Sequence, residues 1–213
     1  MKIFDCFTYF NEEQMLKIRL HELYSCVDSF VIVEASKTFT GNSKPFYLED
    51  IGEWINPFLD KIIKIKVDFP KDEMTSWERE YFQRNAIMDG LSFAKKNDII
   101  LISDVDEIIK SSVIQKLKNI KKPVALDNRQ YFWNFNWQVP DHCNQTARPV
   151  ALKYSELKKN SPQKMREALL PRVPNAGWHF SYFSDIVTKV PAYGSAPKKK
   201  GNNEYLYLEF LRF

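Results

Sequence analysis

The chain has 213 residues, 44% of them hydrophobic, with 31 Lys and Arg against 27 Asp and Glu for a formal net charge of +4. That apolar content fills one core, while the weak, scattered charge excludes a nucleic-acid surface, with Lys198, Lys199 and Lys200 reading as a solvated run. Cys6, Cys26 and Cys143 are odd in number and lack paired spacing, and no 18-residue apolar run or leader pattern occurs, so a cytoplasmic protein with free thiols and no membrane span is expected.

In chain order, residues 1–36 alternate a β-rich run, an amphipathic helix and a second β-rich run. Asn11 is placed to cap the helix with Gln14 three residues on, and Met15, Leu16, Ile18, Leu20 and Leu23 form its apolar stripe. A third strand is expected over Ile62 to Val67. Thr75 and Glu78 then form a capping box that opens a long helix ending near Asn97, with Trp77 at its start and in the core. The fourth strand is the run Ile99 to Ile102. Beyond it, Ser111 opens a helix, and β elements are expected around Val124 to Leu126, Gln130 to Trp137 and Val150 to Lys153. From Asn160 onward Pro162, Pro171 and Pro174 predict loops and short helices.

Continuous apolar strands alternating with helices imply an α/β fold with a mainly parallel central sheet covered by helices on both faces. Ligands of such sheets sit at the carboxyl ends of the strands. There the fourth strand delivers Asp104, Asp106 and Glu107. Two Asp at i and i+2 project from one side of an extended backbone, within reach of one divalent ion. The alternative is that the acids simply face water, with Glu107 opening the next helix. Two chemistries use such a placement: a phosphohydrolase carrying an Asp-x-Asp, and sugar transfer from a nucleotide diphosphate, where a metal neutralises the departing pyrophosphate.

Six segments in order, "FDCFTYFNE", "VDSFVIVEASKTFTG", "KPFYLED", "WEREYFQRNAI", "DIILISDVDEI" and "GWHFSYF", resemble the signature of glycosyltransferase family 17 over residues 3 to about 187. The resemblance implies a GT-A type nucleotide-diphospho-sugar transferase fold, and the lack of an apolar anchor run in this sequence sets the expectation of a bacterial or viral-type member. The resemblance also implies a UDP-GlcNAc-like donor with Mn²⁺ or Mg²⁺, inversion at the anomeric carbon and a glycan acceptor. Carried residue by residue, it gives Asp104, Asp106 and His179 as metal ligands, with Asp106 first, and Arg84 and Asp104 as donor contacts, while Asn11, Glu12 and Glu34 are assigned to the nucleoside from their place at the tips of the first two strands. The general base stays open among Asp141, Glu107 and Glu156. Trp133, Phe135 and Trp137 serve either as core or as a stacking surface for the acceptor. A catalytically silent glycan- or nucleotide-sugar-binding protein of the same fold is the alternative. The transferase domain is expected over residues 1–190, with 191–213 an unassigned tail.

Overall fold

The computed structural model of the protein describes residues 1–139, 148–183, 189, 191 and 192. The first half comprises β1 (Ile3–Tyr9), α1 (Glu13–Leu23), β2 (Ser29–Ala35), a 3-10 helix (Glu53–Lys61), β3 (Ile62–Val67), α2 (Ser76–Asn85), a second 3-10 helix (Ala86–Leu91) and β4 (Ile99–Asp104). The second half comprises β5 (Glu107–Ile109), α3 (Ser111–Leu117), β6 (Val124–Phe132), β7 (Val150–Lys153), α4 (Tyr154–Leu157), α5 (Pro162–Glu167) and β8 (Arg172–Ser181). All these strands join one sheet in the order β3-β2-β1-β4-β7-β6-β8-β5.

Strands β3, β2, β1 and β4 run parallel, as predicted, with β2 and β4 buried along their apolar runs and edge strand β3 alternating, its Lys64 and Lys66 exposed. Alternation sends Ile3 and Phe7 of β1 to one core and Phe4 and Cys6 to the other, and β4 splits Ile99 and Leu101 from Ile100 and Ile102 in the same way. Helix α1 covers the first face with Leu16, Leu20 and Leu23. Ile18, expected in its stripe, is 39% exposed, because the buried position on that face is Arg19.

Two expectations fail around α2, although its start is as the sequence predicts. Thr75 does cap this helix: its Oγ1 accepts from Glu78 N–H at 3.2 Å, and Glu78 Oε2 accepts from Thr75 N–H at 2.7 Å. The α-helix nevertheless ends at Asn85 and tightens to 3-10, since Gly90 must pass so close to β2 that a Cβ there would stand 2.3 Å from Val31 Cγ1. Trp77 is 55% exposed and lies against Tyr81, outside the core.

The second half is mixed: β7 is antiparallel to β4 and β6, β8 parallel to β6, and β5 antiparallel to β8. Glu107 therefore lies in a short strand and does not open a helix. Arg172–Ser181 is a strand and not the loop its prolines predict. Pro174 and Asn175, the latter at φ 52°, fall where the β6 pairing shifts register, and such irregularities admit a proline within a strand. Beyond it Gly177 packs on β5, where a Cβ would stand 2.1 Å from the Ile108 carbonyl oxygen and 2.7 Å from Asn128 Oδ1. Gly177→Ala must push two strands apart. Thermal melting is expected to show a loss of about 1–3 kcal/mol, the cost of overpacking.

Candidate active site

The parallel register brings the tips of β1, β2 and β4 to one edge, with Thr8 opposite Asp104 and Tyr9 opposite Glu34. Asp104 is held there from two sides. Its Oδ1 accepts from Arg84 Nη2 at 3.0 Å and Thr8 Oγ1 at 3.2 Å, and its Oδ2 accepts from Arg166 Nη2 at 3.0 Å. Burial alone would raise this carboxyl, but the two guanidinium groups and their hydrogen bonds outweigh it and hold Asp104 well below the usual carboxylate range. A depressed folded-state pKa contributes stability above the unfolded value, and that contribution is lost as pH falls toward the folded one. The stability gap between wild type and Asp104→Asn is therefore expected to be constant from neutral pH down to about 5. It should shrink only below roughly 3.9, the ordinary Asp value. Denaturant titrations at stepped pH read this directly.

Arg166, from α5, is shared. Its Nη1 donates at 2.5 Å to Glu107 Oε2, which also accepts from the Asp104 backbone N–H at 2.8 Å. The Glu107 side chain is 2% exposed, so this carboxylate braces the turn after β4. Beneath the turn lies Arg19 of α1, fully buried. It forks onto Asp5 at 2.6 and 2.7 Å, and donates to the carbonyls of Asp104 at 2.8 Å and Glu107 at 3.0 Å and to Ser103 Oγ at 2.5 Å. Peptide oxygens that the sharp turn strips from water thereby meet a charged donor.

Asp106 faces another way. Strand β5 pairs with β8 so that Glu107 lies opposite His179, and the Phe180 N–H donates to the Asp106 carbonyl at 2.9 Å. This register leaves Asp106 Oδ1 3.8 Å from His179 Nε2, while Asp106 Oδ2 lies 3.0 Å from Lys189 Nζ. Lys189 Nζ also meets Glu12 Oε1 at 2.9 Å. His179 Nε2 shares a hydrogen bond of 3.1 Å with Ser181 Oγ, and its Nδ1 is buried without a hydrogen-bond partner among the described residues. The structure thus brings Asp106 and His179 together and turns Asp104 toward the arginines. Among the described residues no group of three or more His, Cys, Asp or Glu side chains is placed to hold a metal ion.

The other candidates divide. Asn11 does not cap α1: Glu12 takes that position without a side-chain cap bond, and its Oε2 instead accepts from the Phe10 and Asn11 N–H groups at 3.1 and 3.2 Å. Glu34 is engaged by Lys44 Nζ at 2.8 Å and by the N–H groups of Tyr47 and Leu48 at 2.7 and 3.0 Å, which fastens residues 44–48 to the tip of β2. Burial dominates this pair, pushing the Glu34 carboxyl up and the Lys44 ammonium down despite their contact.

The Gln83, Arg84, Asn85 triplet works as a brace. Gln83 Nε2 donates to the Val33 carbonyl at 2.8 Å, Arg84 grips Asp104, Glu80 and Gln163, and Asn85 Oδ1 accepts from the Gln163 N–H at 3.1 Å. Burial opposes the Arg84 charge, but Asp104 and Glu80 more than restore it. Glu156 is removed from the group by topology. Antiparallel β7 ends beside Ile99, at the opposite edge of the sheet, and Glu156 in the next turn pairs with Lys159. Asp141 lies outside the described residues.

A cleft beside the acidic edge is lined by Thr8, Tyr9, Phe10, Lys37, Gln83 and Ala192. On the other side β6 and β8 end together in aromatic residues with left-handed backbone, Trp133 at φ 62° and Tyr182 at φ 61°. Trp137 packs edge-on to Trp133 at 5.1 Å, and Phe135 and Trp137 are 62% and 59% exposed, so neither is core. Arg19, Arg166 and Lys189 had no local signal in the sequence, because each acts on a partner more than 50 residues away along the chain except for the Arg19 pairing with Asp5, and Gln83, though it falls in the segment "WEREYFQRNAI", bonds to Val33 50 residues away.

Taken together, fold and site define an α/β protein whose acidic, arginine-braced site lies at the carboxyl ends of its parallel strands. The chain belongs to glycosyltransferase family 17, whose family model matches residues 1–209 and so runs into the tail beyond residue 190. It is 26% identical over 144 residues to the β-1,4-mannosyl-glycoprotein 4-β-N-acetylglucosaminyltransferase of Homo sapiens, covering 61% of this chain and 26% of that protein. The Rattus norvegicus protein of the same name matches with equal identity and coverage. The chain thus spans about a quarter of the length of these relatives.

Among solved structures it is similar to the 2-C-methyl-D-erythritol 4-phosphate cytidylyltransferase of Francisella tularensis, with TM-score 0.44 and 13% identity over 83% of this chain and 91% of that one. It is also similar to the galactosyltransferase LgtC in complex with donor and acceptor sugar analogs, with TM-score 0.42 and 11% identity over 77% and 62%. No helix among the described residues is long and apolar enough to cross a membrane.

Proposed function

We propose that the protein is a metal-dependent, inverting glycosyltransferase of GT-A type that moves N-acetylglucosamine, or a related sugar, from a UDP-sugar to a glycan hydroxyl. Family membership and the activity for which the relatives are named support the reaction class. The observation that carries the metal-assisted form is the approach of Asp106 Oδ1 to His179 Nε2, 3.8 Å, at the strand tips beside a cleft. Asp106 already carries the Lys189 ammonium, so its carboxylate is laid out to receive a cation. Asp106 and His179 are the residues that would hold Mn²⁺ or Mg²⁺, with phosphate oxygens and water as the remaining ligands, the usual arrangement for Mg²⁺. When bound, such an ion supplies neutralisation of the charge that gathers on the leaving diphosphate.

The residues divide the work. The cleft at the β1 and β2 tips receives the nucleoside, with Glu34 fixing Lys44 in its wall and buried Glu12 holding the Phe10 and Asn11 amides just beyond it. Arg84 and Arg166 hold Asp104 at the strand tips, where the donor is proposed to bind. The acceptor hydroxyl attacks the anomeric carbon from the face opposite the diphosphate, so an α-linked donor yields a β-linked product. Asp141 is the carboxylate proposed to take the hydroxyl proton, because Glu107 is committed to Arg166 and Glu156 lies at the wrong edge. Trp137 and Phe135 offer exposed faces on which an acceptor pyranose stacks. Cys6 and Cys26 are free thiols, which suits the proposed cytoplasmic location.

Titration calorimetry of UDP with and without Mn²⁺ tests this reading. Metal-dependent binding is the expected result. Binding without turnover on any donor and acceptor pair would favour the silent sugar-binding alternative, and failure of UDP to bind under any metal condition would remove the nucleotide-sugar reading.

A further inference from the structure

Lys189 stands against Asp106, and the role assigned to it rests on the proposal that Asp106 holds a metal ion. Its side chain is 9% exposed, with Nζ 2.9 Å from Glu12 Oε1 and 3.0 Å from Asp106 Oδ2. Both acids are buried, Glu12 at 1% and Asp106 at 7% exposure, and two converging buried carboxylates need a compensating cation. The neighbouring residues reach the cleft as well. The Pro191 carbonyl accepts from Thr40 Oγ1 at 3.2 Å, the Ala192 carbonyl accepts from the Thr40 N–H at 3.3 Å, and Ala192 lines the cleft wall.

We infer that Lys189 is the resident counter-ion of Asp106, and that a divalent cation and the Lys189 ammonium compete for this one carboxylate. Metal binding and release of Lys189 are then a single equilibrium. In a site nearly closed to water, two positive charges on one carboxylate disfavour each other far more than at the surface. The arrangement has two consequences. Glu12 and Asp106 stay neutralised while no metal is bound, and metal affinity is lower than the ligands alone would give. Because Pro191 and Ala192 lie within three residues of Lys189, its release also loosens the contact of this stretch with Thr40 at the cleft.

The test is titration of MnCl₂ into the full chain without nucleotide, read by calorimetry and by the electron-spin signal of free Mn²⁺. Wild type, Lys189→Met, Lys189→Gln, Lys189→Arg and Asp106→Asn are compared, each checked for cooperative melting. The two neutral variants are expected to bind Mn²⁺ about tenfold tighter or more, an effect of roughly one decade in Kd. Lys189→Arg should resemble wild type, and Asp106→Asn should not bind. Equal affinity in wild type and the neutral variants overturns the inference and leaves the metal reading standing. Weaker binding in neutral variants that melt cooperatively also overturns it, since Lys189 would then order the ligands instead of competing with the ion. If neither wild type nor the neutral variants bind Mn²⁺, alone or in a repeat titration with saturating UDP, the metal reading fails and this inference falls with it.

Discussion

Replacing Arg19 with methionine is expected to cost about 3–5 kcal/mol, the penalty for breaking a buried ion pair by removing one partner. For a chain of this length that corresponds to a fall in Tm of roughly 6–20 °C. The reason is the number of groups that lose their donor at once. Asp5 is fully buried and would keep an uncompensated charge, while the carbonyls of Asp104 and Glu107 and the Ser103 hydroxyl would lose their guanidinium. Methionine restores the volume packed over Phe7, whose ring centroid lies 4.1 Å from the Arg19 guanidinium carbon, so the loss is electrostatic and not a cavity. Pairing the change with Asp5→Leu should recover much of the stability, because replacing a whole buried pair with apolar residues is often neutral. The double variant should still be impaired as an enzyme, since the turn that carries Asp104 and Asp106 has lost its underpinning. A single variant that melts within about 3 °C of wild type would show that the turn holds without Arg19.

Asp106→Asn is expected to lower kcat/KM for sugar transfer by about 10²–10³-fold, the range seen when one group that stabilises transition-state charge is removed. The fold should survive. The amide keeps the shape, and the Phe180 N–H bonds to the Asp106 main-chain carbonyl, which the substitution leaves in place. Steady-state rates and melting together decide the outcome. Large loss of turnover with a melting change under about 2 °C supports a role at the reacting atoms, whereas proportionate losses of both would reduce Asp106 to a structural anchor. Since Asp106 also meets Lys189, the asparagine chain carries an excess of positive charge near Glu12, and a modest salt dependence of its stability is expected.

The half of the fold that was legible in the sequence is the half built from unbroken apolar runs. Strands β1, β2 and β4 belong to the part of the sheet covered on both faces, so their composition marks them, while edge strand β3 shows the alternation of a strand with one wet face, Lys64 and Lys66 being exposed. The Thr75 capping box was legible for the same local reason, its two bonds spanning three residues. Strand β8 was not, because Pro171 and Pro174 signal a break that a register shift against β6 absorbs. Asn11 fitted a cap by sequence, yet Glu12 folds back onto the Phe10 and Asn11 amides and takes the position. Of the site, the motif residues Asp104, Asp106 and His179 stood out, since the resemblance rests on them. Arg19 and Arg166 did not, because a basic residue on a helix reads as solvated until the partner elements are known.

The pairings at the acidic edge also carry a consequence for how the chain reaches its native state. Asp104 lies 62 residues from Arg166, and Asp106 lies 83 residues from Lys189. Strand β7, which seats the second half against β4, does so only after residue 150. Contacts this distant along the chain carry a loop-closure cost that must be met before they contribute. The β1 to β4 pairing is itself as distant, with Thr8 and Asp104 96 residues apart, so the acidic turn is neutralised only when both halves of the chain are in place. The UDP binding proposed above is therefore expected to return on refolding only with the complete set of these long-range contacts, and not with secondary structure alone.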